Sequence, residues 1–378
     1  MMQSPQKKIK VTFIINDFIV GGAQYLLINL MTRMDPKRFE FSLITLFHFG
    51  DDEKDYLYRE LPPGIPVYRL RFRGFRDFGA WVSLYRALRA INPDVVSTHL
   101  FFSNTVVRVL KPLFRYRAIS AEHNTYVDKT KLQQLTDRIL SYLTVRTIAL
   151  TKTVVNFTVA QEGIRPSKFI IISGGIDTKQ LRADLAASNP AVLRKEIGLR
   201  PEDRVIVNVS RFVPQKNHRL MLEGFSLFAP AHPHHRLVLV GGSEDGVDKL
   251  KAYARELGIA DRALFLGYQK NIPAILGISD FFVSTSLIEG FGIAHAEALA
   301  CGLPLLTTKT AGPDEMVQEG INGFFIPEYT KEAVAASLAR MADQDISAMR
   351  AAAPGSVERY SLDRAVQSYE RLFEETAV

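Results

Sequence analysis

The segment Glu289-Gly290-Phe291-Gly292-Ile293-Ala294-His295-Ala296-Glu297 sets two carboxylates around a Gly-Phe-Gly turn that runs into a small-residue helix. It follows an apolar, β-branched run, Asp280 to Ser286, with the character of a buried strand. A strand, a glycine turn and a helix start together make an anion site. The first N–H groups of a helix have no intrahelical acceptor and carry roughly half a positive charge. Glycine lets a phosphate or a sugar reach the backbone without meeting a Cβ. Glu289 lies before the turn and Glu297 about one turn into the helix. Acceptors on both sides of a bound anion suit the hydroxyls of a sugar or a ribose, so the spacing suggests a nucleotide-sugar site. Two glutamates so spaced also occur by chance at a surface helix; the glycines and the strand favour the site.

A second group follows the strand Arg204–Ser210, in Ser210-Arg211-Phe212-Val213-Pro214-Gln215-Lys216-Asn217-His218. Cations at the C-terminal end of a parallel strand point into the crevice where such sheets bind ligands. Arg offers a planar fork and Lys a point charge to the negative charge that gathers on a departing nucleoside diphosphate. Alone, the same two residues would be surface charges. Gly21-Gly22-Ala23-Gln24 sits between the first strand and first helix but lacks the third glycine of a dinucleotide fingerprint. Gly241-Gly242-Ser243 is a second glycine turn after a strand. His99 and His123 each close a strand, where an isolated histidine is more often structural than catalytic.

Taken together, Glu289 to Glu297, the continuation Glu-Ala-Leu-Ala-Cys-Gly-Leu-Pro ending at Pro304, and Arg211 to Lys216 with Pro214 and Asn217 resemble the donor elements of retaining family-4 glycosyltransferases (glycosyl transferases group 1) with the GT-B fold. The resemblance spans essentially the whole chain, specific over 204–325 and looser before 180. It implies an α/β architecture of two Rossmann-like, doubly wound parallel-sheet domains facing a central cleft. Residues 1–180 would form the acceptor-side domain and 181–360 the nucleotide-sugar-binding domain. The helix in 361–378 would pack back on the first. It also implies that Arg211 and Lys216 stabilise the leaving diphosphate, that Glu289 accepts from donor-sugar hydroxyls and that Glu297 accepts from the ribose. The backbone of Gly290, Phe291, Gly292 and Ile293 would hold phosphate or sugar oxygens, with Gly22 and Gly241 near the donor. His123 would hold a sugar hydroxyl and support charge at the reacting centre, while Gly21 and His99 lie on the acceptor side. In such enzymes the acceptor hydroxyl attacks from the face the phosphate leaves, and a phosphate oxygen takes the proton, so no protein base is needed. The chain departs from the family in its hinge, where Ser173-Gly174-Gly175 replaces Pro-Asn-Gly; the extra glycine is expected to loosen the linker.

The surrounding pattern supports two such halves. Runs at Lys10–Asn16, Phe41–Phe47, Val67–Leu70, Asp94–Thr98, Ala118–Glu122, Thr147–Leu150 and Phe169–Ser173 alternate with helical stretches, lapse over Asp177–Pro201, and restart at Arg204. The later strands are expected at Arg236–Val240, Ala263–Leu266, Phe281–Ser284 and Pro304–Thr308, and a last amphipathic helix over Leu362–Glu375.

The chain has 378 residues, 47% hydrophobic and 23% charged, enough for two cores. No apolar run could span a bilayer, and Met1–Lys10 is polar and basic, unlike a signal peptide. The single cysteine, Cys301, fits a reducing compartment and core packing, so a cytoplasmic protein is expected. There is no Asp-x-Asp at a strand end, no His/Cys cluster of metal-ligand spacing and no Gly-x4-Gly-Lys-Ser/Thr loop, so neither a metal nor another cofactor is expected.

The net charge of +7 is uneven: residues 1–180 hold 26 Lys/Arg against 15 Asp/Glu. The excess concentrates in 61–120, where Arg69, Arg71, Arg73, Arg76, Arg86, Arg89, Arg108, Lys111, Arg115 and Arg117 interleave with aromatics. That stretch reads either as a face for anionic lipid or a polyanion, or as a solvated face whose aromatics belong to the core. The resemblance implies a nucleotide-sugar donor, a UDP-sugar favoured with the base left open, and the first reading implies a glycan or lipid-linked acceptor at the inner face of the plasma membrane. The rivals are a GT-B epimerase acting on the donor alone, a DNA-modifying transferase and a non-catalytic sugar-binding module. The epimerase would need a dedicated acid/base pair that the sequence does not show. The DNA enzyme would need salt-dependent duplex binding, and nucleic acid is not expected.

Overall fold

A computed structural model describes residues 7–19, 21–48, 56–242 and 246–377. Met1–Gln6 and Ser243 of the second glycine turn lie outside the described residues. The chain divides into two compact units, one running to Gly175 and resuming at Leu362, the other Ile176–Ser361.

Unit 1 is built on strands β1 (Ile9–Ile15), β2 (Phe39–Thr45), β3 (Val67–Arg69), β4 (Val95–His99), β5 (Arg117–Glu122), β6 (Arg146–Ala149) and β7 (Phe169–Ile171). All ladders are parallel, in the order β3-β2-β1-β4-β5-β6-β7. The strand order reverses between β1 and β4, where Ile15 pairs with His99. Every residue of β4 is buried, as expected of a parallel strand covered on both faces. One face is packed by Phe13, Leu27, Leu30 and Phe39, the other by Ile14, Ile44, Leu84 and Val106. Helix Leu362–Ala377 closes the first of these faces. Tyr369 and Phe373 are buried, Phe373 lies 5.9 Å from the Phe13 ring, and Arg38 donates to Glu370 at 2.9 Å and pairs with Glu374.

Unit 2 holds β8 (Arg204–Val209), β9 (His235–Val240), β10 (Ala263–Gly267), β11 (Phe281–Ser284), β12 (Leu305–Thr308) and β13 (Gly323–Ile326). The sheet is again all parallel, in the order β10-β9-β8-β11-β12-β13, with the reversal between β8 and β11. Strand β13 is absent from the sequence expectations. It is only four residues long and opens on Gly323, where a Cβ would meet the Leu305 carbonyl oxygen at 2.2 Å. The polar stretch after Asp177 folds as helices Thr178–Ala187 and Pro190–Glu196, capped by Asp177 and Asn189.

Gly174 is buried, and a Cβ on Gly175 would come within 2.8 Å of Leu362 Cα. Close packing against the last helix, rather than freedom, explains glycine at 175.

Candidate active site

In an open parallel sheet, the loops leaving the C-terminal ends of the strands on either side of the order reversal form the ligand crevice. In unit 2 those are the loops after β8 and β11, and they carry Arg211, Lys216 and Glu289. Pro214–Lys216 forms a 3-10 turn with Pro at its start, and Asn217 takes the left-handed conformation that asparagine tolerates, φ 50°. The two loops are stitched together by backbone and side chain. Leu287 N–H donates to the Gln215 carbonyl at 2.9 Å, Gln215 Nε2 to the Ile288 carbonyl at 2.8 Å, and the Thr285 hydroxyl to the Asn217 carbonyl at 2.9 Å.

That stitching places Lys216 Nζ 2.6 Å from Glu289 Oε1. The Ser286 hydroxyl donates to the same oxygen at 2.9 Å. Burial pushes the Glu289 carboxyl upward, but Lys216, the nearby His295 and the Ser286 bond outweigh it and hold the group below its ordinary value. His295, on helix Ile293–Ala300, is buried, with Nε2 3.2 Å from the Thr307 hydroxyl and Nδ1 without a partner. Burial lowers its imidazole to about 4, so it is neutral at pH 7. Gly292, in the left-handed region at φ 81°, makes room for it: a Cβ there would sit 2.9 Å from His295 Nδ1. Gly312 does the same for the turn, since its Cβ would strike the Phe291 carbonyl oxygen at 1.7 Å.

Glu297 stands apart from this pair, half-buried on the same helix. No hydrogen bond or ion pair reaches its carboxylate among the described residues, and burial alone pushes it up to about 7. An ionised carboxylate there could accept hydrogen bonds from two hydroxyls. Arg211 is exposed, and no bond holds its guanidinium among the described residues. Gly241, at φ 114°, brings the β9 exit against the β8 exit: a Cβ would meet the Ser210 carbonyl oxygen at 2.1 Å.

In unit 1 the corresponding edge carries Gly21–Gly22 after β1 and His99 at the end of β4. Gly22 opens helix Gly22–Arg33, with Gly21 as its extended N-cap. His99 Nδ1 lies 2.8 Å from His123 Nε2, and His99 Nε2 lies 3.2 Å from the Ser97 hydroxyl. Burial holds His99 well below its ordinary value and lowers His123 to about 4. The two rings form a neutral pair. With Ser97 donating, His99 Nδ1–H donates to His123 Nε2, which leaves His123 Nδ1–H as a donor.

The basic stretch 61–120 divides between core and surface. Arg108 is buried and paired with Asp137, Phe72 and Tyr116 are core residues, and Arg69 covers the Tyr58 ring. Arg69, Arg71, Arg73, Arg76, Arg86, Arg89, Arg115 and Arg117 are exposed, Arg71, Arg73 and Arg76 around a depression of about 760 Å³. Ser286, Gln215, His295 and Gly312 are site residues to which the sequence reading gives no role. The clue for Gln215 and His295 was their place inside the two motifs; Ser286 and Gly312 carry no spacing signal.

The chain is similar to known proteins in sequence and in fold. Residues 191–355 match the family described as Glycosyl transferases group 1, and residues 20–180 match Glycosyltransferase Family 4. The chain belongs to the family-4, group 1 glycosyltransferases, has their GT-B fold, and is a glycosyltransferase. It is 24% identical over 360 residues to the Escherichia coli UDP-Gal:alpha-D-GlcNAc-diphosphoundecaprenol alpha-1,3-galactosyltransferase, covering 91% of each chain. It is 26% identical over 336 residues to alpha-monoglucosyldiacylglycerol synthase of Acholeplasma laidlawii, covering 81% of each. Its fold matches that of Anabaena HepE in complex with UDP and glucose, TM-score 0.82 at 20% identity, over 97% of this chain and 100% of the other.

Proposed function

We propose that this chain is a retaining, metal-independent transferase that moves a sugar from a UDP-sugar to a lipid-linked or glycolipid acceptor at the cytoplasmic face of the membrane. The observation that carries the reading is the Lys216–Glu289 pair at the order reversal of unit 2. The cation answers a leaving diphosphate and the carboxylate answers sugar hydroxyls. The named relatives lend the donor and acceptor: a UDP-Gal transferase acting on a diphosphoundecaprenol sugar, a diacylglycerol glycolipid synthase and a UDP-bound neighbour.

In the proposed reaction the acceptor hydroxyl oxygen bonds to the anomeric carbon from the side the phosphate leaves. The anomeric C–O bond breaks with its electron pair going to UDP, and the hydroxyl proton passes to a phosphate oxygen. Lys216 and Arg211 take the place of a divalent ion by stabilising that charge. Glu289 orients the sugar, Glu297 the ribose, and His123 Nδ1–H donates to a sugar hydroxyl. Among the described residues no helix is long and apolar enough to cross a membrane. Purified protein given UDP-, GDP- and ADP-sugars with a polyprenyl-diphosphate sugar tests the reading. It predicts UDP release with a product of unchanged anomeric configuration; an inverted product, or turnover of donor alone to an epimer, would refute it.

A further inference from the structure

Helix Lys131–Leu140 of unit 1 turns its apolar residues outward. Leu132 is 73% exposed, Leu135 52%, Ile139 58%, and Tyr142 in the next turn 65%. Steps of three and four residues place them on one stripe. The only fully buried residue of the helix is an acid, Asp137. Its carboxylate pairs with Arg108 and lies 2.8 Å from Lys129 Nζ, which also meets Glu162 at 2.6 Å and Glu122 at 3.9 Å. Asn104 Nδ2 donates to Glu122 at 3.2 Å. The polar face of the helix is thus tied down in a buried ionic cluster and the apolar face is left outside, the reverse of an ordinary surface helix.

Single exposed apolar residues need no explanation, but a contiguous stripe does. This one carries its own cations: Lys131 and Arg138 are exposed along it, and Arg165 sits 6.0 Å from the Tyr142 ring. An apolar stripe bordered by Lys and Arg, with a tyrosine at its margin, lies in the interface plane of an anionic bilayer. A second copy of this chain fits less well. It would set the same cations against each other on a half-chain with 26 basic and 15 acidic residues. Lipid phosphate neutralises them instead.

We propose that Leu132, Leu135, Ile139 and Tyr142 insert at the headgroup boundary of an anionic membrane, with Lys131, Arg138 and Arg165 on lipid phosphates. This rests on the reading of a membrane-borne acceptor and gives it an apolar docking element beside the exposed arginines of residues 61–120. The helix follows β5 through residues 123–130, so its first turn begins near the sheet edge that carries His99 and His123. Docking there holds that edge at the level of the headgroups.

The test is co-sedimentation of the full chain with vesicles of phosphatidylcholine alone or with phosphatidylglycerol added. Wild type should bind the anionic vesicles, and Leu132→Ser/Ile139→Ser should bind them about tenfold less, with UDP affinity and thermal midpoint unchanged. Equal binding of wild type and variant, or binding indifferent to phosphatidylglycerol, overturns the proposal. So does a wild-type dimer that the substitutions split without any vesicle effect. Transfer to a short-chain, water-soluble acceptor separates the two readings. A wild type that docks on vesicles but transfers to no acceptor sinks the functional reading alone; a variant active on the soluble acceptor yet docking like wild type sinks the docking one.

Discussion

Lys216 Nζ and Glu289 Oε1 lie 2.6 Å apart, their side chains 15% and 11% exposed, although 72 residues separate them in the chain. Each depends on the other in the ligand-free state. Removing the lysine strands a desolvated carboxylate, so Lys216→Ala should cost roughly 3 kcal/mol in urea unfolding, near the lower end for a broken buried pair. Lys216→Met/Glu289→Gln should recover most of that loss without recovering turnover. The pH dependence has a definite sign. The Glu289 carboxyl is held below its ordinary value, so its contribution is present above pH 4.5 and is lost as pH falls through the folded-state value. Glu289→Gln should remove that part of the acid unfolding curve.

Glu297 behaves in the opposite sense. Its carboxyl titrates at about 7 in the folded chain against an ordinary 4.5. Its contribution to stability is therefore present below 4.5 and lost as pH rises through 7. Ribose hydroxyls prefer the ionised form, so UDP affinity should weaken by up to about tenfold per pH unit below 7, beyond the nucleotide's own titration. Calorimetry on wild type and Glu297→Gln at pH 6 and 8 checks this. The variant should lose the extra slope; identical slopes would contradict the role.

The Ser97–His99–His123 line predicts a pH–rate profile without an imidazole limb between pH 5 and 8, because burial lowers His123 to about 4 and His99 well below its ordinary value. His123→Ala should cut kcat by about a hundredfold through loss of an oriented donor. Ser97→Ala should give a smaller loss by freeing the tautomer. A wild-type profile that falls with a midpoint near 6.5 would show that a histidine carries a proton in turnover.

The glycine-turn prediction is steric. Gly312→Ala places a methyl 1.7 Å from the Phe291 carbonyl oxygen, so the turn must move or the helix must shift. The variant should bind UDP at least about tenfold more weakly and unfold with a loss of roughly 1–3 kcal/mol. Gly355→Ala, where nothing lies within 4 Å of the added Cβ, is the control.

Much of this was legible in the sequence because parallel strands leave continuous apolar runs and the site sits where they end. Glu289 and Lys216 follow two such runs, and the glycines between Glu289 and Glu297 mark the turn. Strand β13 escaped because four residues opening on glycine carry no period. The cluster of Lys129 with Glu122, Asp137 and Glu162 escaped because its members share no spacing and meet only through the fold. Helix Lys131–Leu140 shows a further limit. Its 3.6-residue period announces a helix with one apolar face, but the period is the same whether that face turns inward or out. The buried partners of Asp137 decide the direction.

The most direct test of the central claim is the rate of sugar transfer by Lys216→Met and Glu289→Gln, each corrected for folded fraction and compared with wild type at saturating donor. A loss of at least about a hundredfold in kcat is expected for each, the scale of a removed transition-state stabiliser. If either variant, fully folded, keeps more than about half of the wild-type kcat, far from that scale, the site is not where this pair stands.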